Sequence, residues 1–275
     1  MSAEVTSRPS TGATLFASVH SAPDAVAEAS SMGQGQTPVT LVHGFAQNSD
    51  CLGPLADALA SARPTTLVDA PGHGSSASHS TADLERGAVL LSATMPTGAL
   101  VGYSMGGRLA LRTAIDHPGK VSALVLIGAT PGIADDDERA ARRLSDHQLA
   151  DRLESIGLER FLDEWLGMPM FTELPAWARF DQQRRRNRAV ALADSLRHAG
   201  TGSMTPLWER LESLQVPVLC ITGSRDVTYS AIARRMVARI GQDAVHREVP
   251  GAGHAAHLEA PQATTDLVAE FLGHC

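Results

Sequence analysis

Short apolar runs alternate with helix-like stretches from residue 38 to the end of the chain. The apolar runs predict strands at 38–42, 65–68, 98–103, 121–129, 216–223 and 244–249. Most of these runs are apolar at successive positions, which is typical of strands buried on both faces of a parallel sheet. Stretches of helical character lie between them, at 51–62, 81–94, 105–117, 229–240 and 258–272. This order predicts an α/β fold with a doubly wound, mostly parallel sheet.

The alternation stops between about residues 131 and 209. This segment is charged, has helical character, shows no strand signal and contains prolines that include Pro169, Pro175 and Pro206. We expect a helical lid, or cap, inserted between two strands of a core formed by 38–130 and 210–275. The alternative is a set of extra packing helices without a functional role.

Residues 1–37 form a lead-in rich in Ser, Ala, Thr and Gly. The stretch 14–20 could form one strand, and the remainder is predicted to be loop or partly flexible chain. No clear opening hairpin is indicated in this part of the sequence.

Composition and charge argue against some classes of function. The 275 residues are 43% hydrophobic and 19% charged, with a formal net charge of −7, as expected for a globular protein that binds neither nucleic acid nor an anionic membrane through general electrostatics. No apolar run is long enough for a membrane helix, and no signal peptide is recognisable. Cys51, Cys220 and Cys275 show no paired spacing, so we expect reduced thiols in the cytoplasm. Both a monomer and a homodimer remain open.

The sequence VGYSMGGRLA at 101–110 contains Gly-x-Ser-x-Gly, with Ser104 between Gly102 and Gly106. A predicted buried strand precedes it and a helical pattern follows. Small neighbours allow the sharp strand-to-helix turn that exposes such a serine, and the helix N-terminus directs N–H groups at the site. Ser104 is therefore a candidate catalytic residue.

A serine of this kind needs a histidine base and an acid that orients the base. Asp226 follows the strand at 216–223, and His254 lies in a Gly-rich loop after the last strand, which is the chain order serine, acid, histidine. His257 is the competing histidine, and its alternative role is packing. We favour His254 because of its position in the loop.

The remaining catalytic part would be an oxyanion site. We expect its donors to be the backbone N–H of Met105 and that of Phe45. His43, beside Phe45, is expected to be structural. Asp69 and His73 raise a metal hypothesis, but no further ligands follow at matching spacing, so we expect no metal.

These motifs resemble the α/β-hydrolase superfamily. The resemblance covers about residues 38–273 and rests on motifs in the family's order: His43-Gly44-Phe45, DAPGHGSS at 69–76, GYSMGG at 102–107, GSRD at 223–226 and GAGHAAHLEAP at 251–261. It implies the α/β-hydrolase fold and a Ser104–His254–Asp226 triad. The superfamily does not fix the reaction.

Four further features are similar to one subfamily, the 2-succinyl-6-hydroxy-2,4-cyclohexadiene-1-carboxylate synthases. They are Tyr-Ser-x-Gly-Gly-Arg at 103–108, Glu-Arg-Ala-x-Arg at 138–142, Trp-x-x-x-Pro-x-Phe at 165–171, and Leu-Arg-x-x-Gly-Thr-Gly at 196–202 followed by Leu-Trp. The resemblance implies a cofactor-independent lyase of menaquinone biosynthesis. In that reaction the triad acts as a base through Ser104, without an acyl-enzyme.

The resemblance also implies a small polycarboxylate substrate held by arginines. Arg108 lies one helical turn after Ser104, and Arg142 and Arg185 would come from the insertion. The register is insecure in the sequence RRRNR, where Arg184 or Arg186 could take the place of Arg185. The pocket would be lined by Tyr103 and Trp165. Bidentate pairing with carboxylates is the reason that arginine suits this task.

Two other functions share these residues. A serine hydrolase, either a carboxylesterase or a C–C bond hydrolase, would use Ser104 as a nucleophile. A non-catalytic ligand-binding protein on the same fold would need no triad, whereas all three members are present in this sequence.

Overall fold

A computed structural model describes residues 6–8, 14–20 and 36–274 and places eight strands of these residues in one sheet. The strands are Thr6–Arg8 (β1), Ala17–His20 (β2), Val39–Val42 (β3), Thr65–Val68 (β4), Gly98–Tyr103 (β5), Val121–Ile127 (β6), Val218–Gly223 (β7) and Ala244–Val249 (β8). Their spatial order is β1-β2-β4-β3-β5-β6-β7-β8. Strands β3 to β8 run parallel, so the predicted α/β-hydrolase architecture is confirmed.

An antiparallel pair forms the edge of the sheet before β4. Strand β2 lies within the predicted stretch 14–20 and pairs with β4, and β1 pairs with β2, with Thr6 opposite Val19. The described residues therefore include an opening hairpin that the sequence did not clearly indicate. A three-residue strand is too short to produce a recognisable period in the sequence. The flexible chain predicted for 1–5, 9–13 and 21–35 lies outside the described residues.

The helices follow the predicted alternation. They are Gly53–Ala62 (α1), Leu84–Thr94 (α2), Met105–Asp116 (α3), Asp136–Ile156 (α4), Leu158–Leu166 (α5), Asp181–Arg184 (α6), Ala189–Ala199 (α7), Val227–Ile240 (α8), Ala256–Glu259 (α9) and Pro261–Gly273 (α10). The helix predicted at 258–272 is divided into α9 and α10. Pro261 explains the division, because proline lacks the N–H that a continuous helix needs but suits a first turn.

Both faces of the sheet are covered, which explains the unbroken apolar runs. Along β5, Leu100 belongs to the core beside α2 and α3, whereas Ala99 and Val101 belong to the opposite core beside α1 and α10. All six residues of β5 are buried. Side chains alternate between faces along a strand, so a strand covered on both sides is apolar throughout.

The segment between β6 and β7 contains α4 to α7 and short 3-10 turns, and no strand lies in it. It has its own apolar cluster, in which Leu153, Phe161, Leu162 and Leu192 pack against Ala46 of the core. We call residues 131–209 the helical insertion. Its action as a lid stays a prediction.

No helix of the described residues is both long enough and apolar enough to cross a membrane. Cys51 and Cys220 are buried free thiols.

Candidate active site

Ser104 occupies a sharp turn between β5 and α3, with φ 51° and ψ −109°. A Cβ at Gly102 would lie 2.4 Å from the carbonyl oxygen of Gly106, and a Cβ at Gly106 would lie 2.3 Å from that of Val42. Glycine is therefore required at both positions for the backbone to turn this closely. The result is a serine in a strained conformation at the N-terminus of a helix.

The three predicted triad residues meet in the structure. Nε2 of His254 lies 3.0 Å from Oγ of Ser104, and Nδ1 of His254 lies 2.7 Å from Oδ2 of Asp226. The His254 side chain is 2% exposed and that of Asp226 is 12% exposed. A carboxylate accepts from Nδ1–H, which leaves Nε2 free to accept the hydroxyl proton of Ser104.

His257 does not join this set. It is fully buried, and neither ring nitrogen has a hydrogen-bond partner among the described residues. Burial lowers its pKa to about 3, with a smaller contribution from the nearby His254. Its ring centroid lies 4.3 Å from that of Tyr103, so His257 packs beneath a wall of the cavity described below.

The loop after β3 positions the N–H of Phe45. His43 is buried, its Nδ1 lies 2.7 Å from the Gly44 carbonyl oxygen, and its Nε2 accepts the Ala70 N–H at 3.0 Å. These bonds require a neutral ring with the proton on Nδ1, and burial lowers the pKa of His43 to about 4. Because the Gly44 carbonyl points to His43, the N–H of the same trans peptide, that of Phe45, points away from it.

Met105 supplies the second expected donor. It is the first residue of α3, so its N–H has no partner within the helix. No described backbone carbonyl accepts from the N–H of Phe45 or of Met105. Phe45 and Met105 line the same cavity as Ser104, and unused N–H donors beside a serine hydroxyl are what an oxyanion site needs.

A cavity of about 480 Å³ opens above Ser104, with walls from the core and the helical insertion. Phe45, Met105 and Tyr103 line it, and three cationic side chains face it: Arg108, Arg142 and Arg184. In a protein with a net charge of −7, such a group of cations favours an anionic ligand.

Arg108 is buried on the first turn of α3. Its Nη1 donates to the Ala199 carbonyl oxygen at 2.7 Å and contacts Sδ of Met204 at 3.8 Å. Burial lowers its pKa to about 10, so the guanidinium remains charged at neutral pH. Nε and Nη2 make no hydrogen bond to the described residues and are available for a ligand.

Arg142 lies at the mouth of the cavity. Its side chain is 45% exposed, and its Nε donates to Oδ1 of Asp146 at 2.8 Å. The Nη groups of Arg142 have no hydrogen-bond partner among the residues described. They can therefore bind a ligand while Nε remains anchored.

The structure corrects the register of the third arginine. Arg184 is 1% exposed and faces the cavity, and it donates to the carbonyl oxygens of Arg179 at 2.6 Å and Ala46 at 3.1 Å. Arg185 is half exposed and lies 3.5 Å from Glu159, outside the cavity lining.

Arg186 is also on the outside, paired with Asp50. Successive helical residues point about 100° apart, and three adjacent arginines give the sequence no signal of which one faces inward.

Tyr103 and Trp165 both line the cavity, as the resemblance implied. Tyr103 is 4% exposed, and burial raises the pKa of its hydroxyl. The Trp165 ring lies 5.2 Å from that of Phe45, and its indole N–H is buried without a partner among the described residues.

Gln47 and Tyr229 are among the residues of the cavity wall that sequence reasoning missed. Tyr229 lies on the first turn of α8, three residues after Asp226, and its ring centroid is 4.5 Å from that of His254. The spacing of three residues between Asp226 and Tyr229 was the signal in the sequence that could have placed Tyr229 near the triad. Gln47, two residues after Phe45, carried no signal that distinguishes it from any polar loop residue.

The loop with Asp69 and His73 is held by hydrogen bonds to Asp69 from within the loop and from the loop after β3. Asp69 accepts the N–H groups of Ser49 and Ser75, each at 2.7 Å. His73 is buried and its pKa is lowered to about 3 by burial. No cluster of three His, Cys, Asp or Glu side chains that could hold a metal occurs in the part of the chain that the structure describes.

The alpha/beta hydrolase family model matches residues 41–267. The chain belongs to the alpha/beta hydrolase family. The resemblance inferred from Ser104, Asp226, His254 and their surrounding motifs is thereby confirmed.

Curated relatives show which members of this family the chain is similar to. The chain is 41% identical over 178 residues to a putative 2-succinyl-6-hydroxy-2,4-cyclohexadiene-1-carboxylate synthase of Bacillus subtilis, a match that spans 63% of the chain and 65% of the relative. It is 32% identical over 248 residues to the synthase of that name from Salmonella newport, across 87% of the chain and 96% of the relative. The similarity to the synthase subfamily is thus confirmed.

Solved structures of alpha/beta hydrolases agree with the fold. MenH from S. aureus superimposes with a TM-score of 0.83 at 27% identity, covering 94% of this chain and 98% of that chain. E-2-(acetamidomethylene)succinate hydrolase gives a TM-score of 0.74 at 21% identity, over 98% of this chain and 100% of the other. At that identity the second likeness shows the fold alone.

Proposed function

We propose that the protein is a 2-succinyl-6-hydroxy-2,4-cyclohexadiene-1-carboxylate synthase. It would be a lyase of menaquinone biosynthesis that eliminates pyruvate from 2-succinyl-5-enolpyruvyl-6-hydroxy-3-cyclohexene-1-carboxylate. The observation that carries the proposal is the convergence of Arg108, Arg142 and Arg184 on one cavity above Ser104. The curated synthases that the chain matches support it. The free thiols of Cys51 and Cys220 suit a reducing compartment, so we place the reaction in the cytoplasm.

The negative charges of the substrate complement the positive charges of the cavity. The substrate carries three carboxylates, on the ring, the succinyl chain and the enolpyruvyl group. Arginine binds such groups through two parallel N–H···O bonds, and the bonds strengthen where water is excluded. A neutral ester substrate would have no use for three cations around one serine.

The triad would remove the proton from ring carbon 2. This proton is acidic because the succinyl ketone is attached to the same carbon. Oγ of Ser104 takes the proton while Nε2 of His254 accepts the hydroxyl proton, and Asp226 stabilises the resulting imidazolium. Removal of this proton places negative charge on the ketone oxygen. The N–H groups of Phe45 and Met105 would stabilise that charge.

Elimination then follows from the positions of the bonds. The electrons of the broken C2–H bond form the C2=C3 double bond, and those of C3=C4 move to C4=C5. The C5–O bond breaks, and its electron pair leaves with enolpyruvate, which is protonated by the His254 imidazolium and becomes pyruvate. Proton transfer and elimination change no net oxidation state, so the reaction requires neither hydride transfer nor an acyl-enzyme on Ser104.

Pyruvate release tests the proposal. The substrate is prepared enzymatically, and lactate dehydrogenase reports pyruvate formed by the wild type, by Ser104→Ala, and by Ser213→Ala, an exposed serine outside the cavity. We expect release that falls at least about 100-fold in Ser104→Ala and is unchanged in Ser213→Ala. If the wild type gave no release above the spontaneous rate, the proposal would fail. Accumulation of an acyl-enzyme from an activated aryl ester would then support the serine hydrolase alternative.

A further inference from the structure

Gln47 is a buried cavity residue with one polar atom that the protein does not use. It lies on the loop after β3, is 2% exposed, and lines the cavity that contains Ser104. Oε1 of Gln47 accepts the Gly44 N–H at 2.9 Å. Because a backbone N–H can only donate, the atom that faces Gly44 must be the oxygen, which fixes the orientation of the side-chain amide. Nε2 makes no hydrogen bond to any described residue.

The backbone that carries this side chain is held by two hydrogen bonds from the helical insertion. Nδ2 of Asn187 donates to the Gln47 carbonyl oxygen at 3.2 Å, and Nη1 of Arg184 donates to that of Ala46 at 3.1 Å. Ala46 itself has a positive φ of 57°, a conformation that persists only where the surroundings hold it. Rotation of the Gln47 side chain would break its bond to Gly44. Nε2 therefore presents two N–H groups in a fixed direction.

Nε2 of Gln47 faces the cavity without an acceptor from the described residues, so its two N–H groups are free to bind a ligand. A ligand oxygen placed against them would gain a hydrogen bond, and fixed donors lose little freedom on binding. Arg184, which is bonded to the residue preceding Gln47, attracts an anionic oxygen to this part of the cavity. A carboxylate has enough lone pairs to accept from a guanidinium and from an amide at once.

We propose that Gln47 is a specificity-determining residue whose Nε2 donates to the substrate carboxylate that Arg184 attracts. This inference rests on the proposed function for the identity of the substrate. The amide would select a carboxylate by direction, whereas the arginines select it by charge. Oε1 would at the same time hold the loop that carries the Phe45 N–H.

Gln47→Glu separates the two parts of this role. Glutamate keeps the size of the side chain and an oxygen for the Gly44 N–H, but it replaces the donor with a negative charge that repels a carboxylate. We expect the KM for the substrate to rise about tenfold or more, with a smaller change in kcat and an unchanged melting temperature. Gln182→Glu, an exposed glutamine of α6, adds the same charge outside the cavity and serves as the matched control.

Gln47→Leu removes both the acceptor and the donor. If Gln47 acted only by holding Gly44, this variant would lose activity while Gln47→Glu kept the wild-type KM, and that pair of results would overturn the inference. The kcat for pyruvate release at saturating substrate reports whether the triad and the Phe45 loop still work in each variant. We expect Gln47→Leu to lower kcat more than Gln47→Glu does, because only leucine gives up the bond to the Gly44 N–H.

Calorimetry separates this inference from the proposed function. The dissociation constant of the substrate is measured for Ser104→Ala and for Ser104→Ala/Gln47→Glu, so that no turnover is needed. Weakening by about tenfold in the double variant is the expected result, and it would stand even if the wild type released no pyruvate. Equal constants for the two proteins, or no binding to Ser104→Ala, would overturn the role of Gln47, whatever the pyruvate assay returned.

Discussion

Asp146 anchors Arg142 at the mouth of the cavity: its Oδ1 accepts from Nε of the arginine at 2.8 Å. The other oxygen of the same carboxylate accepts the Gly202 N–H at 3.0 Å. Gly202 lies in the turn that follows Ala199, the last residue of α7. The carbonyl oxygen of Ala199 accepts from Arg108. One buried carboxylate of the insertion is thus connected to two of the three cations that face the cavity.

We expect Asp146→Asn to weaken substrate binding without changing the chemistry. The amide keeps the size of the side chain but removes the charge that holds Arg142, which is half exposed and therefore partly screened by solvent. KM should rise about three- to tenfold, with kcat within a factor of about two, since the triad is not touched. Steady-state pyruvate assays measure both constants.

Asp151→Asn is the matched control for this change. Asp151 lies on the same helix but pairs with Arg197 on the surface, outside the cavity lining. We expect it to leave KM unchanged. A wild-type KM in Asp146→Asn would show that Arg142 does not need the Asp146 carboxylate to bind the substrate.

Asp226→Asn should reduce kcat with little effect on KM. The carboxylate accepts from Nδ1 of His254, and an amide in its place favours the tautomer with the proton on Nε2, which cannot accept from Ser104. A fall of about 10²- to 10⁴-fold in kcat is expected. Single-turnover pyruvate release measures it. A kcat within tenfold of the wild type would mean that a group other than Asp226 orients His254.

The fold was predictable because its strands are short, buried on both faces and separated by helices of regular length. β5 shows this: its apolar residues occupy both cores, so the run cannot be taken for a half-buried strand. Ser104, Asp226 and His254 were predictable because each follows a strand at its carboxyl end, where the ends of parallel strands meet.

The details of the insertion were less predictable. Whether Arg184 or Arg185 faces the cavity depends on the register of a four-residue helix, α6, that has no apolar period of its own. Gln47 lies in a loop whose path is set by contacts with Asn187, far away in the sequence. Such positions are decided by tertiary contacts, which local patterns do not record.

Exchanging Arg184 and Arg185 for methionine, one at a time, tests the register. Arg184→Met leaves the carbonyl oxygens of Arg179 and Ala46 without their donor and removes a cation from the cavity. We expect about 1–3 kcal/mol lower unfolding free energy and a raised KM. Arg185→Met is the matched control, because its pair with Glu159 is half exposed, and it should change neither quantity. Urea unfolding and pyruvate assays measure the two effects.

The opposite pattern would contradict the assignment. If Arg185→Met raised KM and Arg184→Met did not, the cavity-facing arginine would be the one that the structure places outside.

Buried neutral histidines should make the protein less stable in mild acid. Burial lowers the pKa of His43 to about 4 and those of His73 and His257 to about 3. The unfolded chain binds a proton at each site near pH 6.5, whereas the folded protein does not until pH 3–4. Above pH 6.5 these histidines are therefore largely neutral in both the folded and the unfolded chain, and their burial costs no stability through protonation. Stability falls as the pH decreases below that value, by about 1.4 kcal/mol per histidine per pH unit.

His257→Leu tests one of these three contributions. Neither ring nitrogen of His257 has a partner among the described residues, so an apolar side chain of similar size leaves no new unpaired group. At pH 7 the unfolding free energy should remain within about 1 kcal/mol of the wild type. At pH 5.5 the variant should gain about 1 kcal/mol relative to the wild type, because one fewer proton is taken up on unfolding. Urea denaturation at the two pH values measures this difference. Parallel changes in the two proteins would show that His257 is protonated equally in the folded and unfolded states.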